Sequence, residues 1–394
     1  ERVREELRRE KGLKQAVSDG FSNALSSILD ANITTGVTAL VLFVFGTGPI
    51  KGFATTLLIG IMTSLFTAIF ITRMLVENHI SKSKLLNFST SLTKNWLSNI
   101  GISFLIKRRI SYVVSGTFII IGLSSLFING LNQGVDFVGG RSYVVRFEQP
   151  VSQEKIQSNL IKVLGNAEVK TFGSDNQLKI TTNYKVDTDS SDIDDEINNI
   201  LYTDLIEFMP ENIAYEDFVV NGDENKQAGI MSSIKVGPTI ADDIKKNSFY
   251  AVFGSLIIVF LYILLRFKNW QFSLGAVSAV FHDVLVVLGI FSLTYSFMPF
   301  NMEINQAFIA AVLTVIGYSL NDTVVVFDRI REYRNINTSW ELPRVVDSAL
   351  NSTLSRTLNT SFTTLVVLIS IFVFGGESIR GFMFALIVGV LIGT

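Results

Sequence analysis

Asn321-Asp322-Thr323-Val324-Val325-Val326-Phe327-Asp328-Arg329-Ile330-Arg331-Glu332 sets a carboxylate, Asp322, inside an apolar run from Phe308 to Phe327 that then breaks into alternating charge. The first residues of the chain, Glu1-Arg2-Val3-Arg4-Glu5-Glu6, carry the tail of the same pattern. Asp328 and Glu1 therefore read as equivalent points in two copies of one unit. The rest of the chain can be ordered around that equivalence.

Sliding residues 21–65 onto 350–394 at an offset of 329 gives 15 identities in 45 positions. Leu25, Ser26 and Leu29 meet Leu354, Ser355 and Leu358, and Thr34-Thr35 meets Thr363-Thr364. Phe43-Val44-Phe45-Gly46 meets Phe372-Val373-Phe374-Gly375, and Gly52-Phe53 meets Gly381-Phe382. Membrane composition inflates apolar matches, but not polar and glycine matches in fixed register. Matching Asp328 to Glu1 needs an offset of 327, so the loop between must differ by two residues. Both copies begin in basic loops, so they share one orientation. Parallel repeats pack about an axis along the membrane normal and leave a functional seam between halves.

Hydropathy gives the spans. Apolar blocks near or above the roughly 20 residues a bilayer crossing needs lie at 31–49, 52–75, 110–128, 247–265, 271–297, 305–327, 353–374 and 380–394. Loops 1–30, 76–109, 266–268 and 328–352 are basic, whereas turns 46–51, 298–304 and 375–380 carry only Lys51 and Arg380 as basic residues. Basic loops stay in the cytoplasm, and the alternation closes over eight spans. Residues 131–240 then lie outside the cytoplasm. The domains expected are 1–75, 76–109 (cytoplasmic linker), 110–130 (one span), 131–240 (outer domain) and 241–394 (five spans).

The composition narrows function further. A net charge of -2 argues against nucleic-acid binding. Cysteine is absent, so thiol chemistry is excluded, and two histidines, His79 and His282, cannot build a histidine-rich metal site. The chain has no initiator Met and stops inside an apolar run, as a piece of a larger membrane protein would.

The outer segment is acidic, with 18 Asp/Glu against 9 Lys/Arg between Leu131 and Gly237. Strands are expected at Arg141–Glu148, Ala167–Phe172, Gln177–Tyr184 and Gly229–Val236, and helices at Val151–Leu164 and Ile193–Phe208. Gly173–Asn176 should form the turn between the middle strands. The order β-α-β-β-α-β is that of a ferredoxin-like domain, with Val144, Phe147, Ile156, Leu160, Leu164, Val169 and Ile180 in its core. It has no nucleophile–base pair and no metal-spaced cluster, so a binding or lever role outweighs an enzymatic one.

Ionisable groups inside a bilayer cost roughly 2.5–3.5 kcal/mol on insertion scales and are usually paired and functional. Asp322 sits among Tyr318, Ser319, Asn321 and Thr323; Asp283 follows His282 halfway along its span. Arg356 opens a polar face continued by Asn359, Thr360 and Thr363. Arg356 alone reads as a headgroup anchor, and His282-Asp283 as part of a proton relay, with a structural interhelical hydrogen bond as the alternative. With Asp322 at comparable depth, pairing with Arg356 is the better reading, and the set forms a proton relay.

Several motifs are similar to those of the SecD/SecF family of protein-export membrane proteins, within the resistance-nodulation-division superfamily. Gly134-Val135-Asp136-Phe137-Val138-Gly139-Gly140 resembles the GxDFxGG element that opens the SecF-type periplasmic domain. Val236-Gly237-Pro238, His282-Asp283-Val284 and the Asn321–Glu332 stretch resemble later signatures, and Leu29-Asp30-Ala31-Asn32-Ile33-Thr34-Thr35 resembles the end of the SecD-type part. The resemblance implies a proton-driven accessory of the Sec translocon that pulls exported polypeptide from the outer side. It implies H⁺ as coupling ion, with Na⁺ as the alternative, and no other cofactor. Implied partners are the SecYEG translocon, SecA, YajC, the exported unfolded polypeptide and the bilayer. Asp322 and Arg356 match the family's coupling residues, while Gly134, Asp136, Gly139, Gly140, Gly237 and Pro238 fall at the expected hinges. The family's second essential carboxylate would fall about six residues before Glu1 by the repeat. A lipid or drug exporter of the same superfamily, and a non-transporting translocon scaffold, remain as alternatives.

Overall fold

Two helices of equal length fix the architecture: Leu13–Phe45 and Leu342–Phe374, each 33 residues, related by the offset of 329 at both ends. The computed structural model describes residues 2–46, 48–82, 86–88, 101–188, 191–211, 213–220 and 226–394. In chain order, α1 (Arg2–Arg8) and α2 (Leu13–Phe45) lead into α3 (Gly48–Phe66), a π-helical turn (Thr67–Ile71) and α4 (Thr72–Ser81). After the linker comes α5 (Phe104–Ile128). The outer domain runs α6 (Val135–Val138), β1 (Gly140–Arg146), α7 (Gln153–Leu164), β2 (Glu168–Phe172), β3 (Ser174–Thr182), α8 (Ser191–Leu205), α9 (Tyr215–Val219) and β4 (Gly229–Val236). Helices α10 (Pro238–Phe267), α11 (Trp270–Thr294), α12 (Gln306–Ile336), α13 (Leu342–Phe374) and α14 (Glu377–Ile392) complete it.

Seven helical stretches among the described residues are long and apolar enough to cross a membrane, and the eighth expected span is α14, with 16 residues. Two expected loops are helical instead. Residues 13–30 belong to α2, and most of 328–352 belongs to α12 and α13. Charged turns of a helix that project beyond the bilayer look like loop by composition, since hydropathy reports burial in lipid and not backbone conformation. Gly46 and Gly375 end the paired helices in the same way. A Cβ at Gly46 would lie 2.4 Å from the Leu42 carbonyl oxygen, and one at Gly375 would lie 2.3 Å from that of Ile371. That close approach explains why the Phe-Val-Phe-Gly match survives in both copies.

The halves also pair symmetrically. Arg2 donates to Glu332 at 2.8 Å, and Arg329 donates to Glu5 at 2.9 Å. Under the offset of 327, Arg2 corresponds to Arg329 and Glu5 to Glu332, so the two contacts are one contact seen twice, as a two-fold axis requires. Burial works against the charge on Glu5, but Arg329, Arg2 and Arg9 outweigh it and hold its carboxyl below the ordinary range.

The outer domain has the sheet order β2-β3-β1-β4, with every neighbouring pair antiparallel. That is the ferredoxin-like arrangement. Strand alternation sends Tyr143, Val145 and Phe147 into the core with Ile180 and Leu178, under α7 (Ile156, Leu160, Leu164) and α8 (Ile197, Leu201). Val144, expected in that core, is only partly buried. It is an odd number of residues from Phe147 and so lies on the opposite face of the strand. The middle hairpin also turns more tightly than expected, on Gly173 alone, because β3 begins at Ser174.

The other face of the sheet, with Ser142, Val144, Lys179 and Ser232, covers a cavity of about 240 Å³ above Asn301, Glu303 and Glu377 of the membrane part. In the isolated outer domain (131–237), Ile180→Ala is expected to lower unfolding free energy by roughly 2–5 kcal/mol, the usual cost of emptying a core site. Val144→Ala should cost less than about 1.5 kcal/mol there, since that face has lost its cover. Urea denaturation of both variants, followed by circular dichroism, checks the assignment; equal losses would contradict it.

Candidate functional site

Asp322 faces inward on α12 and is 6% exposed. Its Oδ1 lies 3.6 Å from Nη1 of Arg356 on α13. Neither carboxylate oxygen, nor Nη1 of Arg356, makes a hydrogen bond of ordinary geometry among the described residues, although the Thr357 hydroxyl is nearby. Nη2 of Arg356 donates to Oδ1 of Asn321 at 3.3 Å. Arg356 and Asn321 line a cavity of about 470 Å³ on the seam between α2, α12 and α13, with Arg2, Ser27, Asn32 and Arg329 also on its wall. The pair is dry on one side and opens to a polar seam on the other.

A second aspartate–arginine pair lies across the halves and is built differently. Arg266 of α10 donates to both oxygens of Asp30 on α2, with contacts of 2.6–2.9 Å. Tyr262, one helical turn earlier, donates to Asp30 at 3.0 Å, and Arg266 also reaches Ser26 at 2.6 Å. Arg266, read from sequence as part of a basic loop, is therefore the last inward-facing turn of α10. The signal for it was the Tyr262/Arg266 spacing of four, which puts both on one helix face. Asp30, inside the quoted Leu29–Thr35 motif, was not singled out as a partner. Asp328 continues this cluster, accepting from Ser27 at 3.1 Å and from Arg331 at 2.8 Å.

Asp283 forms a third polar centre, separate from Asp322. Its Oδ2 accepts from Ser319 at 2.7 Å and its Oδ1 lies 2.9 Å from Nδ1 of His282. Nε2 of His282 is buried without a partner among the described residues. Ser319 precedes Asp322 by three positions on α12, so the two centres sit one turn apart. Thr323 is not brought to either, because its hydroxyl donates to the Ser319 carbonyl at 3.1 Å. Thr360 and Thr363 likewise bond backbone carbonyls of α13.

The glycine motif straps the outer domain to α12. The peptide at Gly134 donates to Ile304 O at 2.9 Å, Ile304 N donates to Asn132 O at 2.7 Å, and Asp136 accepts from Gln306 N at 3.0 Å. Lys179 of β3 meets Glu303 at 2.5 Å. Gly139 (φ 73°) and Gly140 (φ 125°) occupy backbone conformations that side chains rarely adopt. A Cβ on Gly139 would lie 3.4 Å from Cα of Pro238, so the two chain crossings into the domain run side by side. Pro238 begins α10 just after Gly237.

These features define a multi-pass membrane protein of duplicated helical halves, with one outer domain carried on paired glycine connections and an acid–base pair, buried on its Asp322 side, at the seam. Comparison with known proteins places it more narrowly. The chain belongs to the SecD/SecF family, matching "Protein export membrane protein SecD/SecF, C-terminal" over residues 1–82 and 218–394 and "SecD/SecF GG Motif" over 124–151. Protein translocase subunit SecF of Rhodothermus marinus is 43% identical over 297 residues, 75% of this chain and 89% of that protein. Protein translocase subunit SecDF of Brucella abortus is 35% identical over all of this chain and 48% of its own length. The crystal structure of Thermus thermophilus SecDF superposes with a TM-score of 0.83 at 28% identity, covering 100% of this chain and 50% of that one. SecDF in its super-membrane-facing form gives 0.70 at 29% identity, covering 100% and 49%. The chain thus spans about half the length of the SecDF proteins it matches, and it is a multi-pass inner-membrane protein.

The contrast between the two pairs yields a prediction. Asp30→Asn takes the two-pronged partner from the half-buried Arg266, leaving it Asp328 at 3.7 Å, and is expected to cost roughly 1.5–3 kcal/mol, the range for hydrogen bonds to charged groups. Asp322→Asn removes no made hydrogen bond, and the attraction to Arg356 that it gives up is offset by relief of a buried carboxylate, so it should cost less than Asp30→Asn. Thermal unfolding of the purified protein in detergent distinguishes them; a larger loss for Asp322→Asn would overturn the assignment.

Proposed function

We propose that this chain supplies the SecF-type part and the end of the SecD-type part of a Sec translocase accessory, which uses the proton-motive force to drive late steps of polypeptide export. The observation that carries it is the loose Asp322–Arg356 contact beside a polar seam, in a bundle whose other buried aspartates are hydrogen-bonded. At about 4 Å, two unit charges attract by roughly 4 kcal/mol at an effective dielectric near 20. Protonating Asp322 removes that attraction without breaking any hydrogen bond. H⁺ is the coupling ion in this reading, with Na⁺ as the alternative.

Helix α12 is the mechanical link. It runs from Gln306, held by Asp136, to Asp322, a rise of about 24 Å at 1.5 Å per residue. Any shift of α12 against α13 therefore reaches the strap under the outer domain. The equilibrium moves only by the difference in pair energy between the two arrangements. The exported polypeptide would be held by the outer domains, and the SecYEG translocon would be the docking partner. SecA and YajC contacts belong to that assembly.

In sealed vesicles carrying the complete protein, Asp322→Asn is expected to abolish the export stimulation that an imposed pH gradient produces, at equal protein level. Arg356→Gln should do the same. Full stimulation in either variant would remove the pair from the coupling step. Lys179→Ala with Glu303→Ala, which loosens the strap while sparing Asp322, should retain proton uptake but lose at least half of the stimulation. Unchanged stimulation would show that the strap does not transmit it.

A further inference from the structure

At the basic end of the bundle, α5 starts against the first turns of α13. Asn351 grips the backbone of Ile102 through both groups, accepting from its N–H at 2.9 Å and donating to its carbonyl at 2.8 Å. Asp347 accepts from the Leu105 N–H at 3.0 Å. These contacts hold open a cavity of about 860 Å³ whose wall carries Arg108 and Arg109 of α5 and Arg344 of α13. All three arginines are exposed, and among the described residues no carboxylate pairs with any of them. Asp347 is occupied by the α5 backbone, so Glu341 is the one uncommitted acid on that wall. Trp340 lies under Arg344, its ring centroid 4.3 Å from the guanidinium carbon.

Directly beyond the arginines, α5 turns an apolar face outward, with Ile110 65% and Val113 69% exposed. Three guanidinium groups over an apolar strip, beside an indole, match one kind of ligand. Guanidinium binds phosphate in a two-pronged fashion, and tryptophan favours the headgroup level. A soluble phosphate would use the arginines and leave the strip bare; a phospholipid uses both.

We propose that this cavity is a binding site for an anionic phospholipid of the inner leaflet, with its phosphate on Arg108, Arg109 and Arg344 and an acyl chain along Ile110 and Val113. Held there, the lipid would brace the crossing of α5 and α13, the same helix that carries Arg356.

The test uses the full chain, purified in detergent and examined by native mass spectrometry with phosphatidylglycerol or phosphatidylcholine added. Each basic group near a membrane surface contributes about 1 kcal/mol toward an anionic headgroup, so phosphatidylglycerol should be retained at least roughly tenfold better. Arg108→Gln/Arg109→Gln/Arg344→Gln should erase that preference, whereas Lys14→Gln/Lys82→Gln/Arg334→Gln, on the same side, should keep it. Thermal unfolding checks that the triple variant is folded; if it is not, Arg344→Gln alone should cut the preference severalfold. Equal retention of the two lipids, preference that survives the arginine changes, or displacement of phosphatidylglycerol by millimolar glycerol phosphate would each overturn the proposal.

Discussion

An ion pair inside a bilayer bundle is stable when each charged atom is also hydrogen-bonded, and the Asp322–Arg356 pair is not. At 3.6 Å, with neither carboxylate oxygen in a hydrogen bond of ordinary geometry among the described residues, it holds charge without fixing geometry. Asp30 and Arg266 solve the same electrostatic problem with two-pronged contacts and a tyrosine. One pair fastens the halves together. The other can change its charge state at little structural cost, and it sits on the helix that reaches the outer domain. The structural role of the first, and the coupling role proposed for the second, rest on that difference in satisfaction.

The duplication gives this arrangement its frame. Helices α2 and α13 match residue for residue at their ends, and Arg2/Glu332 and Arg329/Glu5 cross-pair as a two-fold axis demands. Packing between α5 and α11 uses small residues, with Gly122 against Gly289 and Ser125 hydrogen-bonded to Ser292 at 2.8 Å. Such contacts let helices approach closely where no hydrophobic force drives them together. The membrane part is thus closely registered, while the outer domain is joined to it by two adjacent glycine connections, by hydrogen bonds of the glycine motif to Ile304 and Gln306, and by the Lys179–Glu303 pair.

Much of this was legible in the sequence because membranes impose long apolar periods and strands impose alternation. The repeat, the eight apolar blocks, the strand order and the proximity of Asp322 to Arg356 all rest on spacing. What was not legible depends on partners far away in the chain. Arg266 looked like loop because a basic residue at a span's end has the same composition whether it faces water or Asp30. Thr323 looked like a site residue because sequence cannot tell a hydroxyl that turns to its own helix from one that turns to a neighbour. Val144 was misplaced by parity, a one-residue error that sends a strand side chain to the other face. The strap by Lys179 and Glu303 joins positions 124 apart and leaves no local trace.

The central claim is that Asp322 exchanges a proton and that its contact with Arg356 depends on that proton. Infrared difference spectroscopy of the complete protein in vesicles, recorded as the outer pH is stepped, reads carboxyl protonation directly. A protonated-carboxyl band that appears with the step in wild type, and is lost in Asp322→Asn but kept in Asp30→Asn, is the expected result. The same band in Asp322→Asn would contradict the claim.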